Sequence, residues 1–217
     1  IHALMTIASM VEREARLKED QVPIASVMHG FLYNKKIFRE LKLQPPATEE
    51  EFFKVLETVK KSGKYAPLAL GTADQWEANQ VVFTSIGANY WKGEDGRKAL
   101  IAGKAKFTDP QFVAAWEYEA RLGSYLSKGA SAQTYGDSQN QFALGKAAIY
   151  PSGSWDIAYF KQDPELELGA FNPPVRKAGD KCYISDHTDI GMSVNKKSKN
   201  KEDAYKFLAW LGSQEFA

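Results

Sequence analysis

Apolar positions in the first part of the chain alternate between a helical period and short continuous runs. Residues 2–18 carry an apolar stripe at helical spacing, which predicts an amphipathic helix, and the mostly apolar run 22–34 predicts a strand. After a double proline, Thr48 and Glu51 have the spacing of a capping box, which predicts the start of a helix. Gly63 is expected to end this helix. Its apolar stripe consists of Phe52, Val55, Leu56 and Val59.

The rest of the chain continues to alternate between short strands and helices. The predicted strands are 65–70, 147–150, 166–173 and 190–195. The predicted helices are 76–86, one that Asp109 caps and Pro110 opens, one through Phe142, 155–160, and a last one that starts near Asn200. Residues 129–138 are expected to form a polar loop. Because helices alternate with short strands and no internal repeat occurs, we expect an α/β fold.

The composition excludes some classes of function but identifies none. Apolar residues make up 44% and charged residues 25% of 217, which is typical of a globular protein, and the net charge of +1 gives no field that would favour nucleic acid or an anionic membrane. One cysteine, Cys182, excludes an internal disulfide framework and a cysteine-based zinc site. No apolar run is long enough to span a membrane. Because the chain starts without Met, a basic leader or a lipobox-like Cys, we expect a mature or excised fragment.

Residues 141–156 are the most informative segment. They combine a helix end, a Gly turn, a short apolar run and a Gly-Ser-Trp sequence that opens another helix. This order places the ring of Trp155 at a strand-to-helix turn beside free backbone N–H groups. An aromatic platform flanked by donors suits a sugar, which has an apolar ring face and a hydroxyl rim. Plain core packing is the alternative for Trp155.

The same segment resembles the F-x-x-G-x-A-A…G-x-W hallmark of family 1 extracellular solute-binding proteins, the sugar receptors of ABC importers. Further segments resemble motifs of that family and follow one another in the family's order. The tryptophan that is usual in the family's motif at 45–52 is absent here. These segments are 22–35, 45–52, 61–71, 189–194 and 198–208. The resemblance implies an α/β periplasmic-binding-protein type II two-lobe fold. Because the family normally continues on both sides, the first lobe is expected to be incomplete.

The resemblance also implies a division of the chain into lobes. Residues 1–34 are expected to form an N-terminal helix and a hinge-crossing strand of the first lobe, and 35–165 the second lobe. Residues 166–217 are then the hinge return and a first-lobe helix. The implied function is capture of a carbohydrate in the interlobe cleft, with hinge closure on the ligand and delivery to an ABC permease.

Other properties follow from the same resemblance. The protein is expected to be no enzyme, to use no cofactor or metal, and to bind no nucleic acid. Its expected location is the periplasm or the extracellular face of the cytoplasmic membrane, with membrane contact only through the permease or a lipid anchor missing from the chain.

The candidate ligand-binding residues are aromatic and polar side chains expected near the lobe junctions. Trp155 and Trp76 are expected to stack on the sugar, whereas Asp74 and Gln75 are expected to bind hydroxyls or to cap a helix. The further candidates are Asp186, His187, Asp189, His29 and Tyr135. For these, an ordinary polar loop or a buried imidazole is the alternative.

Two other functions remain open from the sequence. Residues 1–21 resemble the catalytic-helix motif of YceG-like endolytic murein transglycosylases, in which Glu12 or Glu14 would be the general acid. The alternative for these glutamates is a solvated helix face with i,i+4 ion pairs. The third hypothesis is a chimera or scaffold that keeps binding-protein elements without transport.

Overall fold

The computed structural model describes residues 26–188, 193–211 and 213. The described chain divides into two compact units: one runs from Met28 to Ser185, and the other contains described residues on either side of that range. Within the described residues, no helix has both the length and the apolar character needed to cross a lipid bilayer.

The elements alternate as expected for an α/β protein. The strands are β1 (Ser26–Asn34), β2 (Ala66–Leu68), β3 (Ala147–Gly153), β4 (Leu168–Phe171) and β5 (Asp186–Thr188). The α-helices are α1 (Lys35–Glu40), α2 (Glu49–Ser62), α3 (Phe83–Trp91), α4 (Glu94–Ile101), α5 (Pro110–Leu122), α6 (Tyr135–Ala143), α7 (Asp156–Phe160) and α8 (Lys201–Leu211). A π-helix, Glu77–Val82, leads directly into α3.

The sheet of the Met28–Ser185 unit has the strand order β2-β3-β1-β4. β3 pairs in parallel with β2 and antiparallel with β1, and β4 pairs antiparallel with β1. The register places His29 of β1 opposite Gly153, the last residue of β3. This register fixes which side chains lie beside the turn that follows β3.

Helices cover both faces of this sheet, so β3 is buried along its whole length. On one face, apolar side chains of α1, α2, α3 and α5 pack around Phe31 and Ile149. On the other face, Phe142 of α6 and Phe160 of α7 pack around Leu32 and Tyr150. The second cluster anchors the helices on either side of the β3 turn.

Several predicted helix signals are confirmed. Thr48 accepts from the backbone N–H of Glu51, whose carboxylate accepts from the N–H of Thr48 at 3.0 Å, and Gly63 ends α2 in the left-handed region. The predicted stripe of α2 is buried. Asp109 precedes α5 with Pro110 at its first position, as predicted, but its carboxylate accepts from the backbone N–H of Lys106 and makes no capping bond to α5.

The predicted polar loop 129–138 is wrong in its second half. Thr134 and Asp137 form a capping box, so α6 starts at Tyr135. Asp at the third position instead of the usual Glu or Gln makes this box harder to recognise in a sequence. The predicted helix 76–86 also differs, because it begins as a π-helix and continues to Trp91.

The Met28–Ser185 unit is wider than the predicted second lobe, 35–165, because β1 and β4 belong to its sheet. The assignment of the lobes themselves stays a prediction. The predicted helix 2–18 and residues 190–192 of the predicted strand 190–195 lie outside the described residues.

Candidate functional site

The turn after β3 holds Trp155 in the position expected from the sequence, between the strand and α7. The indole lies over Gly153, where an added Cβ would come within 1.8 Å of its ring. The Gly of the Gly-Ser-Trp sequence is therefore required by the close approach of the tryptophan, which only a residue without a side chain permits. Trp155 is partly exposed, so it is not a core residue.

Three aromatic side chains meet at this turn, and we call Trp76, Tyr135 and Trp155 the aromatic cluster. The ring centroids of Trp76 and Tyr135 are 4.9 Å apart, and those of Trp76 and Trp155 are 6.5 Å apart. All three rings are partly exposed. The structure thus brings together three predicted site residues that are up to 79 positions apart in sequence.

Hydrogen bonds hold two side chains of the cluster, Trp155 and Tyr135, in place. The indole N–H of Trp155 donates to the hydroxyl of Tyr135 at 2.9 Å, and that hydroxyl donates to Asp156 at 2.6 Å. Asp156 is buried and also accepts from Gln139 at 2.7 Å and from Ser152. Burial, and then the bond to the Asp156 carboxylate, raise the pKa of Tyr135 well above its ordinary value, so its hydroxyl stays protonated.

The segment before Trp76 is tied to the same place. Asp74 is exposed and accepts from the backbone N–H of Tyr135 at 2.8 Å, so it caps the first turn of α6 rather than the helix that follows it in sequence. Gln75 is exposed and has φ +65°, an unfavourable backbone conformation for a non-glycine residue. Strained residues and π-helical turns both occur often at functional sites.

Glu77, which follows Trp76, was not predicted as a site residue. Its side chain is 4% exposed, and neither carboxylate oxygen has a hydrogen-bond partner from another described residue. Burial, reinforced by the charge of Asp74, raises its pKa from 4.5 to about 7. A buried carboxyl group with a raised pKa therefore follows Trp76 of the cluster directly in sequence.

His29 lies under Trp155 rather than in the open. It is 5% exposed, and its ring meets Trp155 edge-on with centroids 5.6 Å apart. The Nδ1 atom is 3.1 Å from the hydroxyl oxygen of Thr84. The imidazole is therefore buried, as in the alternative expected for it, and it packs against the ring of Trp155.

The remaining candidates, Asp186, His187 and Asp189, follow the Met28–Ser185 unit in sequence. Asp186 is exposed and belongs to the other compact unit. The side chain of His187 and residue Asp189 lie outside what the structure describes. Their predicted contact with hydroxyl groups stays a prediction.

The geometry suits non-covalent recognition of a ring-shaped ligand. The cluster presents three partly exposed aromatic residues, and the polar atoms of Trp155 and Tyr135 are already hydrogen-bonded within the protein. Asp74 and Gln75 directly precede Trp76 of the cluster. Sequence reasoning missed the residues that hold Tyr135 and Trp155 in place, namely Asp156 and its donors Gln139 and Ser152, and it also missed the buried Glu77. A carboxylate directly after the Gly-Ser-Trp turn was the available signal for Asp156.

Comparison with known proteins gives one consistent family. The profile of the bacterial extracellular solute-binding proteins matches residues 3–217. A multiple sugar-binding protein of Streptococcus mutans is 29% identical over 211 residues, which are 92% of this chain and 49% of that protein. An uncharacterised ABC transporter extracellular-binding protein of Pyrococcus horikoshii is 31% identical over 193 residues, 88% of this chain and 44% of that protein. The chain thus spans about half the length of these curated relatives.

Solved structures agree with the sequence relatives. A chitin oligosaccharide binding protein superimposes with a TM-score of 0.77 at 26% identity, over 94% of this chain and 56% of that one. The predicted α/β class and type II periplasmic-binding-protein fold are confirmed by this similarity.

The second resemblance, to murein transglycosylases, is not borne out. The family match begins at residue 3 and therefore includes most of the segment that suggested an enzyme. The matched family and the relatives are solute-binding proteins, which confirms the prediction of a non-enzyme. Glu12 and Glu14 themselves lie outside the described residues.

Proposed function

The chain belongs to the bacterial extracellular solute-binding protein family, and from this premise we propose that it captures a carbohydrate outside the cytoplasm for an ABC importer. The observation that carries the proposal is the aromatic cluster, in which Trp76 and Trp155 present partly exposed rings 6.5 Å apart. The printed names of two similar proteins, a multiple sugar-binding protein and a chitin oligosaccharide binding protein, support a saccharide over other solutes.

In the proposed binding mode, the C–H face of a sugar ring stacks on Trp155, and a neighbouring part of the ligand contacts Trp76. Stacking buries apolar surface on both partners and does not require one particular hydroxyl pattern. Selectivity is proposed to come from Asp74 and Gln75, because a hydroxyl of the wrong configuration would leave polar groups unpaired. No bond is made or broken, and the ligand is handed on unchanged to the proposed permease partner.

A sugar panel tests the proposal. Mono- and oligosaccharides of glucose, galactose, xylose and N-acetylglucosamine are screened by thermal shift, and hits are measured by isothermal titration calorimetry. We expect at least one saccharide to bind and Trp155→Ala to weaken it by about tenfold or more, since losing one large aromatic contact costs roughly 1.5–3 kcal/mol.

The matched control is Trp116→Ala. Trp116 is a tryptophan of α5 that is 41% exposed and stacks on Phe83, with no described contact to the aromatic cluster. Its loss should leave the affinity unchanged. A folded protein that binds no sugar at millimolar concentration would contradict the proposal and favour the scaffold hypothesis. A Trp155→Ala variant of unchanged affinity would contradict the proposed stacking of the sugar on Trp155.

A further inference from the structure

The polar atoms of the aromatic cluster form a chain that ends on a buried carboxylate. The hydroxyl of Tyr135 donates its proton to Asp156, so the same oxygen can accept only through its lone pairs. It accepts the indole N–H of Trp155 at 2.9 Å. Since the indole N–H can only donate, the carboxylate acts on Trp155 through two hydrogen bonds: it takes the proton of the Tyr135 hydroxyl and leaves that oxygen as the acceptor of the indole.

Asp156 is itself held firmly. It is 2% exposed, and it accepts from Gln139 of α6 and Ser152 of β3 in addition to Tyr135. Charge-assisted bonds from several donors allow a carboxylate to be buried and restrict its position. Because the donors belong to α6 and β3, the carboxylate is fixed relative to both elements that flank the aromatic cluster.

We propose that Asp156 is a positioning residue for sugar capture: through the Tyr135 hydroxyl it fixes the ring plane of Trp155 before the ligand arrives. This inference rests on the proposed function. Asp156 does not touch the ligand, since its side chain is buried. Its effect is to reduce the rotational freedom that Trp155 would otherwise lose on binding.

A purely structural role for Asp156 is the alternative, because it also opens α7 and its loss would destabilise the fold. The two roles differ in their dependence on Tyr135. If Asp156 acts through the Tyr135 hydroxyl, its removal cannot weaken sugar binding once that hydroxyl is already absent. A structural role predicts no such dependence.

The test is a double-mutant cycle on sugar affinity with Tyr135→Phe, Asp156→Asn and the double variant. Tyr135→Phe keeps the ring and the backbone N–H that Asp74 accepts from, so it remains informative even if Asp156→Asn fails to fold. We expect each single variant to weaken the affinity for sugar about 3- to 10-fold. The double variant should bind sugar at least as tightly as whichever single variant has the lower affinity. Tyr159→Phe, on an exposed tyrosine of α7, is the matched control and should bind like the unaltered protein.

A second readout requires no ligand. In ¹⁵N-labelled protein, the indole N–H signal of Trp155 is identified by its loss in Trp155→Phe among the signals of the five tryptophans. In Tyr135→Phe this signal should shift and exchange faster with solvent, whereas that of Trp116 should not change.

These measurements separate the two proposals. If no saccharide binds, the proposed function and the role of Asp156 in sugar capture both fail, whereas the indole signal still reports whether the hydrogen-bond chain exists. If sugar binds and Trp155→Ala abolishes it, but Tyr135→Phe leaves the affinity unchanged, the proposed function stands and the positioning role is overturned. Additive effects of the two single variants, or an unchanged indole signal in Tyr135→Phe, would also overturn it.

Discussion

Replacing Glu77 by glutamine should stabilise the protein at neutral and alkaline pH and have little effect at pH 4. The carboxyl group of Glu77 is 4% exposed, and neither of its oxygens is hydrogen-bonded by another described residue. In the protonated form such a group is tolerated, whereas the charged form lacks both water and a partner. Glutamine has nearly the same shape and carries no charge, so the comparison isolates the charge.

The sign and size follow from the pKa of Glu77, which is about 7 in the folded protein against an ordinary value of 4.5. Below pH 4.5 the group is protonated in both states, and the full stability is present. As the pH rises through 7, the unfolded chain has already released the proton and the folded state loses stability relative to it. The loss reaches at most about 3 kcal/mol at 1.36 kcal/mol per pH unit. We treat this as a ceiling, because Asp74, which contributes to the shift, is exposed and screened by solvent.

The assay is urea denaturation of both proteins between pH 4 and pH 9, with unfolding monitored by circular dichroism. The difference in unfolding free energy should grow from near zero at pH 4 to about 1–3 kcal/mol in favour of Glu77→Gln at pH 9. Glu119→Gln, on α5, should show a similar dependence on pH, since burial also raises the pKa of Glu119 to about 7. A difference for Glu77→Gln that is the same at pH 4 and pH 9 would refute the reasoning.

Two further substitutions test the local geometry. Gly153→Ala should displace the indole of Trp155 and weaken sugar binding in titration calorimetry. The control variant Gly123→Ala should bind sugar normally, because its added Cβ meets nothing within 4 Å. Equal affinities of the two variants would contradict the requirement for Gly153. Thr48→Ala should lower the unfolding free energy by about 1 kcal/mol in urea denaturation because it removes the capping box of α2. Thr58→Ala, on an exposed hydroxyl in the same helix, should change it by less than about 0.5 kcal/mol, and an equal loss in both variants would exclude the cap as the cause.

The features that the sequence predicted correctly are those whose causes are local. The capping box of Thr48 and Glu51 involves a single turn, and the apolar stripe of α2 follows from helical spacing alone. The turn that carries Trp155 is likewise defined by a short apolar run and the Gly-Ser-Trp sequence. In each case neighbouring residues supply both the signal and its structural reason.

The organisation of the site could not be predicted in the same way. Tyr135 was expected in a polar loop, yet its backbone and ring contact Asp74 and Trp76 of one segment, and its hydroxyl contacts Trp155 of another. Those contacts depend on the packing of α6 against the sheet, which brings together residues far apart in sequence. Glu77 was missed for a related reason, since a glutamate in a helix is normally exposed and only the tertiary structure shows that this one is buried.

The internal hydrogen bonds of the aromatic cluster also bear on what it can recognise. The indole N–H of Trp155 donates to Tyr135, and the Tyr135 hydroxyl donates to Asp156, so neither donor is directed to a ligand. For the proposed sugar ligand, the rings of Trp155 and Tyr135 therefore offer only their faces, which would bind its C–H surface with little regard to the configuration of its hydroxyls. On this proposal, discrimination between epimers depends on other polar groups of the site, such as the carboxylate oxygen of Asp74 that does not accept from Tyr135. The strained backbone at Gln75 lies next to Asp74 in sequence, which is the expected location for groups whose orientation matters more than their stability.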